Sequence, residues 1–386
     1  MRWTQDLPRR PDLALKLTNF RATGFDASPD EIHVGDDGLV APGPLDGAEV
    51  LDLKGAYLSP GWCDLHVHVW HGGTDISIRA SEAGRPTGVT AMADAGSAGE
   101  ASFHGLRKYV IEPASETIKA FLNIGSIGLV ACNRVPELID WRSIDIDRTL
   151  AVIEANRDVI CGIKVRASGV IVGSWGITPA KIAKRVAEMT NLPLMVHVGE
   201  PPPLIDEVFE ILTPGDIVTH CFNGKPAGSI RDTDALFKMA QDLAERGILM
   251  DIGHGGASFN FKTARDSMAD GLRPFSISTD LHAHSMAKPV YDMATTIAKL
   301  LAVGLPFDEC IRGVTQAPRG FLGLSGRDGL TPGMRADFTV FDLEDSQIDA
   351  IDSQGNHMVM ERMFEPRMTV LGCDAQPAAR RLPPEG

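Results

Sequence analysis

Between residues 64 and 280, short apolar runs alternate with longer stretches that have helical periodicity. Eight runs can be distinguished, at 64–70, 88–96, 119–129, 159–167, 193–200, 216–223, 247–255 and 275–280. The intervening stretches 179–191 and 232–247 have the apolar spacing of amphipathic helices. Strands that alternate with helices form parallel sheets. Eight such repeats predict a closed (β/α)8 barrel, the TIM barrel.

The two ends of the chain have a different pattern. Residues 12–58 contain short strand-like segments separated by turns rich in Gly, Asp and Pro, and this character returns from about residue 330. Segments of the same kind at both ends can pair with each other beside the barrel. The predicted fold class is therefore α/β, with a barrel over residues 61–330 and a small β-sandwich domain built from residues 1–60 and 331–386.

Composition narrows the class of partner and the compartment. The chain has 386 residues, of which 44% are hydrophobic and 23% charged, and its formal net charge is −14. This charge argues against nucleic acid or an anionic membrane surface as a partner. No apolar stretch is long enough to span a membrane, and residues 1–16 are too charged for a secretory signal. The six scattered cysteines favour reduced thiols, so we expect a cytoplasmic protein.

Polar residues that can bind metal ions lie late in the apolar runs, near the predicted C-terminal ends of strands. His66 and His68 are one residue apart, and positions i and i+2 of a strand point to the same side. Active sites of barrels form at this face, and imidazole and carboxylate groups suit zinc. The fourth, fifth, sixth and eighth runs supply the further candidates Lys164, His197, His220 and Asp280.

Each candidate has a plainer interpretation when it is taken alone. A single buried histidine is more often a hydrogen-bonded core residue, and Asp280 alone could cap a helix. Lys164 alone is better interpreted as a surface or salt-bridged lysine. If it is buried, its pKa falls and its neutral amine can take up carbon dioxide. The resulting carbamate has two oxygens and could bridge two cations. The alignment of four histidines and one aspartate favours the metal interpretation.

The ordered set HxH, Lys, His, His and Asp over eight βα units resembles the amidohydrolase superfamily of metal-dependent hydrolases. LSPGWCDLHVH resembles the entry into the first barrel strand, and LTPGMRADFTVFD resembles the return to the small β-sandwich. The lysine is similar to that of the binuclear members, such as dihydroorotase, hydantoinase and phosphotriesterase. The strings GIKVR, HCFNG and STDLHA resemble a dihydroorotase-like branch of amidohydrolases and deacetylases.

That branch acts on acylated small carboxylic acids, so the resemblance implies a deacetylase for N-acetyl-D-amino acids or for O-acetyl hydroxy acids such as acetyl-(R)-mandelate. It implies two Zn²⁺ per chain, which manganese or cobalt could replace, and hydroxide between them as the nucleophile. Asp280 would be the general acid and base. The implied ligands are His66, His68 and Asp280 for the more buried ion, His197 and His220 for the other, and Lys164, carboxylated by CO2, for both.

Two other functions remain open. Dihydroorotases usually have an arginine in the pattern HxHxR, and here Trp70 stands at that position. A cyclic amidohydrolase that opens a ring amide is therefore the alternative rather than the first prediction. The other open function is that of a catalytically inactive barrel that serves as a scaffold. Such members typically lose metal ligands, whereas all six ligand positions are filled here.

Four further residues are candidates for substrate binding. Arg166 is two residues beyond Lys164 and could bind a substrate carboxylate through both of its terminal nitrogens. A structural salt bridge is an equal alternative for this arginine. The others are Asn223, His254 and His282, which follow the sixth, seventh and eighth runs. Barrels of this kind often assemble, so a homo-oligomer is an open expectation.

Overall fold

The computed structural model describes residues 13–27, 29–324 and 330–381. The strands in these ranges are β1 (Leu15–Thr18), β2 (Arg21–Ala22), β3 (Glu31–Val34), β4 (Glu49–Asp52), β5 (Tyr57–Pro60), β6 (Trp62–Val67), β7 (Val89–Gly99), β8 (Thr117–Asn123), β9 (Ile160–Ala167), β10 (Leu194–Val198), β11 (Ile217–Thr219), β12 (Leu249–Asp251), β13 (Asp337–Ile351), β14 (His357–Leu371) and β15 (Asp374–Pro377).

The helices lie mostly between the strands of the central region. They are α1 (Ala80–Ala83), α2 (Phe103–Leu106), α3 (Ile146–Ala155), α4 (Gly169–Val172), α5 (Thr178–Thr190), α6 (Ile205–Glu210), α7 (Asp234–Glu245), α8 (Phe261–Ala269), α9 (Met293–Ala302), α10 (Phe307–Val314) and α11 (Gln316–Phe321). Short 3-10 turns occupy Arg85–Thr87, Trp141–Ser143 and Gly173–Trp175, and a π turn occupies Arg107–Ile111. No helix in the described ranges is both long and apolar enough to cross a bilayer.

A parallel sheet of seven strands forms the barrel wall, and its strands follow chain order from β6 to β12. The eighth run closes the ring through single bridges, at Ser276 to β12 and at Leu281 to β6. The backbone N–H of His68 donates to the carbonyl of Leu281 at 3.0 Å across this seam. The predicted α/β fold with a (β/α)8 barrel is confirmed.

The eighth run itself is irregular, although the sequence predicts a strand over residues 275–280. Backbone bonds to the preceding strand region persist there, as from the N–H of His254 to the carbonyl of Ser278 at 3.1 Å, and side chains add further bonds. Asp64 Oδ1 accepts from the backbone N–H of Thr279 at 3.0 Å, and the hydroxyl of Ser278 accepts a loop N–H at 2.9 Å. Asp280 has a φ of 48°, which does not occur in a regular strand. These local bonds fix the position of Asp280. The eighth run still completes the ring of strands.

The third run is shorter than predicted, because β8 ends at Asn123 and not near residue 129. The side chain of Asn123 turns the backbone at this point. Its Oδ1 accepts from the N–H of Gly125 at 2.8 Å, and its Nδ2 donates to the carbonyl of Gly96 at 3.0 Å. Asparagine favours such local bonds to the backbone, which compete with strand pairing.

An irregularity in β6 decides which side chains enter the barrel. Leu65 packs in the cluster inside the barrel, whereas Val67 and Val69 pack in the layer between barrel and helices. The register with β7 shifts just before Val67, as at a bulge. His66 and His68 alternate with the two valines, so both histidines face the interior.

The terminal segments form two further sheets with a common buried core. One has the order β3-β1-β4 and the other β15-β14-β13-β5-β2. Leu17 and Val34 of the first sheet pack in one cluster with Phe338 and Val370 of the second. The long hairpin β13–β14 continues past this core and packs against the barrel. The boundaries at residues 60 and 331 stay a prediction, and residues 1–12, 28, 325–329 and 382–386 lie outside the described ranges.

Candidate metal centre and substrate pocket

The six residues predicted as metal ligands lie at the C-terminal ends of the barrel strands. This is the face where the sites of such barrels form. His66, His68, Lys164 and His220 are at most 5% exposed. His197 and Asp280 are partly buried. In chain order, His66 is in β6, His68 directly follows it, Lys164 is in β9, His197 is in β10, His220 directly follows β11, and Asp280 ends the eighth run.

Asp280 lies at the centre of this group. Its Oδ1 is 3.2 Å from Nε2 of His68 and 3.4 Å from Nε2 of His66. One potential ligand atom from each of these three residues lies within 4.8 Å of the others. The ring of His220 has its centroid 5.1 Å from that of His66 and 4.3 Å from that of His197. Four imidazoles and one carboxylate therefore converge on one small volume.

Hydrogen bonds on the far side of the rings fix their orientation. Nδ1 of His66 is 2.9 Å from the hydroxyl of Thr219, which donates to Asp251 Oδ2 at 2.7 Å. Nδ1 of His68 is 3.0 Å from the hydroxyl of Ser97. Metal-binding histidines usually have such a second partner, which holds the ring and selects its tautomer. Both rings thus direct Nε2 toward Asp280.

His220 provides the sharpest test of whether the residues fit a metal ion. Its Nδ1 donates to the carbonyl of Gly253 at 2.6 Å, so Nε2 of the neutral ring has a free lone pair. Burial lowers the pKa of His220 to about 3, which keeps the ring neutral at pH 7. Nε2 is buried and has no hydrogen-bond partner among the described residues. Buried polar atoms rarely lack a partner, and a metal bond would satisfy this one.

Lys164 is buried inside the barrel rather than on the surface. Its Nζ lies 3.3 Å from His66 Nε2 and 3.3 Å from the sulfur of Met195. No carboxylate in the described ranges forms an ion pair with it, and burial lowers its pKa to about 7. Gly96 makes room for the lysine, because a Cβ there would lie 2.7 Å from Lys164 Cγ. Neither the exposed nor the salt-bridged alternative describes this residue.

Two of the six residues have a backbone conformation that is uncommon outside glycine. His220 has a φ of 67° and Asp280 a φ of 48°. Such conformations cost free energy and persist where the surrounding structure enforces them, often at functional sites. The chain also leaves space for the carboxylate, since a Cβ at Gly255 would lie 2.3 Å from Asp280 Oδ2. Only glycine fits at that position.

The group opens into a pocket of about 270 Å³. This size suits a small molecule rather than a polymer segment. Leu129, Val170 and Ile171 contribute an apolar part of the wall. The polar part of the wall beyond the six cluster residues includes Arg166, Ser168, Glu200, Lys225 and His282.

Two of the four predicted substrate residues reach the pocket. Arg166 lines it, but its Nε and Nη2 each donate to an oxygen of the buried Glu137 at 2.6 Å. The salt bridge considered from the sequence is thus present, and Nη1 takes no part in it. His282 lines the pocket as well, and burial lowers its pKa to about 4. Its Nδ1 accepts from the N–H of His284 at 3.2 Å, so Nε2 carries the proton of the neutral ring.

The other two predicted substrate residues lie behind the pocket. Asn223 is fully buried, and its Nδ2 donates to the carbonyls of His220 and Gly228. His254 is also fully buried, with Nε2 3.0 Å from Nζ of Lys299. Their side chains hold loop backbone and do not line the cavity. In this structure the polar atoms of both residues are therefore engaged inside the protein, and their predicted contact with substrate stays a prediction.

Sequence reasoning missed four polar residues of the pocket wall, which are Ser168, Glu200, Lys225 and Ser258. Glu200 ends the fifth run and Ser168 directly follows β9, so both had the position of a site residue in the strand pattern. Lys225 lies in the loop after β11, where no periodicity signals its direction. Serine, glutamate and lysine are also common surface residues, and the pattern alone did not distinguish them from solvent-exposed positions.

The site and fold agree with the comparison to known proteins. The sequence profile of the amidohydrolase family matches residues 57–377, which is most of the chain. This chain therefore belongs to the amidohydrolase family.

Its similarity to individual members extends over nearly the whole length. It is 55% identical to a deacetylase of Agrobacterium fabrum, over 95% of this chain and 92% of that protein. It is 56% identical to a deacetylase of Brucella anthropi, over 96% of this chain and 94% of that protein. A solved structure described as a dihydroorotase superposes with a TM-score of 0.92, at 53% identity, and covers 96% of this chain and 99% of its own.

We predict that His220→Ala lowers the metal content of the purified protein, because the free lone pair of Nε2 is lost. Elemental analysis should show fewer divalent ions per chain than in the wild type. His357→Ala is the matched control, since His357 is exposed and paired with Asp349. An unchanged metal content in His220→Ala would remove this residue from the ligand set.

Proposed function

We propose that this protein is a metal-dependent hydrolase that removes an acetyl group from a small 2-substituted carboxylic acid. The substrate is an N-acetyl-D-amino acid or an O-acetyl hydroxy acid such as acetyl-(R)-mandelate. The main support is that the histidine and aspartate cluster opens into a small pocket with cationic side chains in its wall. The two deacetylases named above support the reaction class. A cytoplasmic location, assembly into a homo-oligomer and the absence of nucleic acid and membrane partners belong to the same proposal.

The metal assignment follows from ligand type. Imidazole and carboxylate favour zinc, with manganese or cobalt as substitutes. Two divalent cations bound there would polarise the acyl oxygen and lower the pKa of the attacking water. The residues that would hold them are His66, His68, His197, His220 and Asp280, together with carboxylated Lys164.

Asp280 is assigned the proton transfers. Its Oδ1 faces the Nε2 atoms of His66 and His68, and its Oδ2 lies beside the bare α-carbon of Gly255. The carboxylate takes a proton from the attacking water and delivers it to the leaving amine or alcohol. His282 has an N–H at Nε2 that can donate to the substrate from the pocket wall.

A second candidate is the opening of a ring amide. It is favoured by one observation, the high similarity to a solved structure described as a dihydroorotase. Trp70 stands where the arginine of dihydroorotases is expected, and it packs over Gly73 and is absent from the pocket lining. We therefore place ring amides second.

A substrate panel separates the candidates. The zinc-loaded protein is assayed with N-acetyl-D- and N-acetyl-L-amino acids, both enantiomers of acetyl mandelate, dihydroorotate and hydantoins. We expect turnover of acetylated acids with preference for one enantiomer. Turnover of ring amides alone would overturn the deacetylase proposal in favour of the second candidate. No metal and no turnover with any compound would favour the scaffold interpretation.

We predict that Asp280→Asn lowers kcat by about 10²- to 10⁴-fold, because the amide cannot accept and return the proton. Circular dichroism and metal content are measured beside kcat to separate lost catalysis from lost folding or lost metal. Asp345→Asn serves as the control, since Asp345 is 97% exposed at its side chain. Wild-type kcat in Asp280→Asn would exclude the assigned role.

We predict that Lys164 becomes carboxylated, because burial lowers the pKa of its amine to about 7 and no carboxylate in the described ranges pairs with it. Protein reconstituted with zinc in ¹³C-bicarbonate should give a ¹³C carbamate signal in the NMR spectrum. The signal should disappear in Lys164→Met and remain in the exposed-lysine control Lys238→Met. A signal that persists in Lys164→Met would place the modification elsewhere, and its absence from the wild type would refute it.

A further inference from the structure

We propose that Lys225 binds the carboxylate of the substrate, so that Lys225 and Arg166 form an acid-binding wall across the pocket from Asp280. This inference rests on the proposed function and adds the residue that recognises the acid group. It also goes beyond the prediction made from the sequence, which named Arg166 for this contact but did not name Lys225.

The position of Lys225 is defined by its surroundings. Its side chain is 14% exposed, and Nζ lies 2.9 Å from Glu200 Oε1. An ammonium group has three N–H donors, so this ion pair leaves donors that can face the pocket it lines. The backbone is held as well, because its N–H donates to Oδ1 of the buried Asn223 at 3.0 Å. The lysine is therefore held in place before a ligand binds.

Lys225 also reaches close to the metal-binding group. A Cβ placed on Gly199 would lie 3.4 Å from Lys225 Nζ, 3.4 Å from the hydroxyl of Ser168 and 3.3 Å from Nε2 of His197. Three polar atoms thus surround one bare α-carbon. In an acetylated 2-substituted acid, only a few bonds separate the carboxylate from the acyl carbon. The ammonium group of Lys225 is therefore close enough to His197 to contact the carboxylate of such a short substrate.

The order of strands places this wall opposite the proposed general base. β9, which carries Arg166, is the fourth barrel strand, and the run ending in Asp280 is the eighth. In a closed ring of eight, the fourth strand lies across from the eighth. Lys225 follows β11, the sixth strand, but its Nζ extends back to Glu200, which follows the fifth strand, β10. A substrate with its acyl group at Asp280 would therefore point its acid group toward β9 to β11.

Each of the two cations is held by one carboxylate. Glu137 takes Nε and Nη2 of Arg166, and Glu200 takes Lys225 through Oε1 and the hydroxyl of Ser168 through Oε2. Both cations keep donors outside these pairs. A substrate carboxylate has two oxygens and can accept from both, and charge-assisted bonds of this kind are the stronger class.

The test compares an acid with its neutral analogue. Kinetics of Lys225→Met are measured with acetyl mandelate and with its methyl ester, which lacks the carboxylate charge. We expect kcat/KM for the acid to fall about 10- to 100-fold, mainly through KM, and to fall much less for the methyl ester. Lys225→Arg should recover part of the loss for the acid. Lys238→Met is the matched control, since this lysine forms an exposed pair with Asp242.

The outcomes separate this inference from the proposed function. Equal losses for acid and ester would assign Lys225 a structural role, and no loss would exclude it from the pocket contacts; either result overturns the inference. If the wild type hydrolyses no acetylated acid, the proposed function itself fails. In that case, the affinity of mandelate for the zinc-loaded wild type and for Lys225→Met is measured by calorimetry. Weaker binding to Lys225→Met supports the acid-binding wall, and equal binding refutes it.

Discussion

Asp64 in β6 accepts a hydrogen bond from the backbone N–H of Thr279, which lies 215 residues further along the chain. Beside it, the N–H of Asp280 donates to the carbonyl of His66 at 2.6 Å. This seam closes the barrel, and it also brings the first and last residues of the candidate metal centre together. A closed ring leaves no free sheet edge. The geometry of the site and the integrity of the fold therefore depend on the same few contacts.

Several features around that seam are unfavourable for the stability of the fold. His220 and Asp280 have left-handed backbone conformations, and His220 keeps a buried nitrogen without a partner in the described ranges. Gly96 and Gly255 are needed because a side chain at either would collide with a site residue. Features of this kind lower stability by themselves and are retained where a site requires them. They support a functional centre more strongly than the residue types alone.

Charged groups of both signs lie around the pocket. The paired cations Arg166 and Lys225 line the pocket together with the histidines and Asp280, and their carboxylate partners Glu137 and Glu200 lie beside them. Carboxylates hold both cations in place, so their remaining donors are already oriented for an anionic ligand. Such preorganisation reduces the entropy lost on binding.

The sequence by itself determined the eight strand-like runs, the barrel they imply, and the alignment of histidines, lysine and aspartate at their ends. These features repeat with the period of local structure, which sequence patterns record directly. Only the tertiary structure decided the rest. The shift in β6 turns His66 inward, Asn223 and His254 lie behind the pocket, and Lys225 reaches into it. These outcomes depend on contacts between residues far apart in the chain and in irregular loops, where no local period constrains the direction of a side chain.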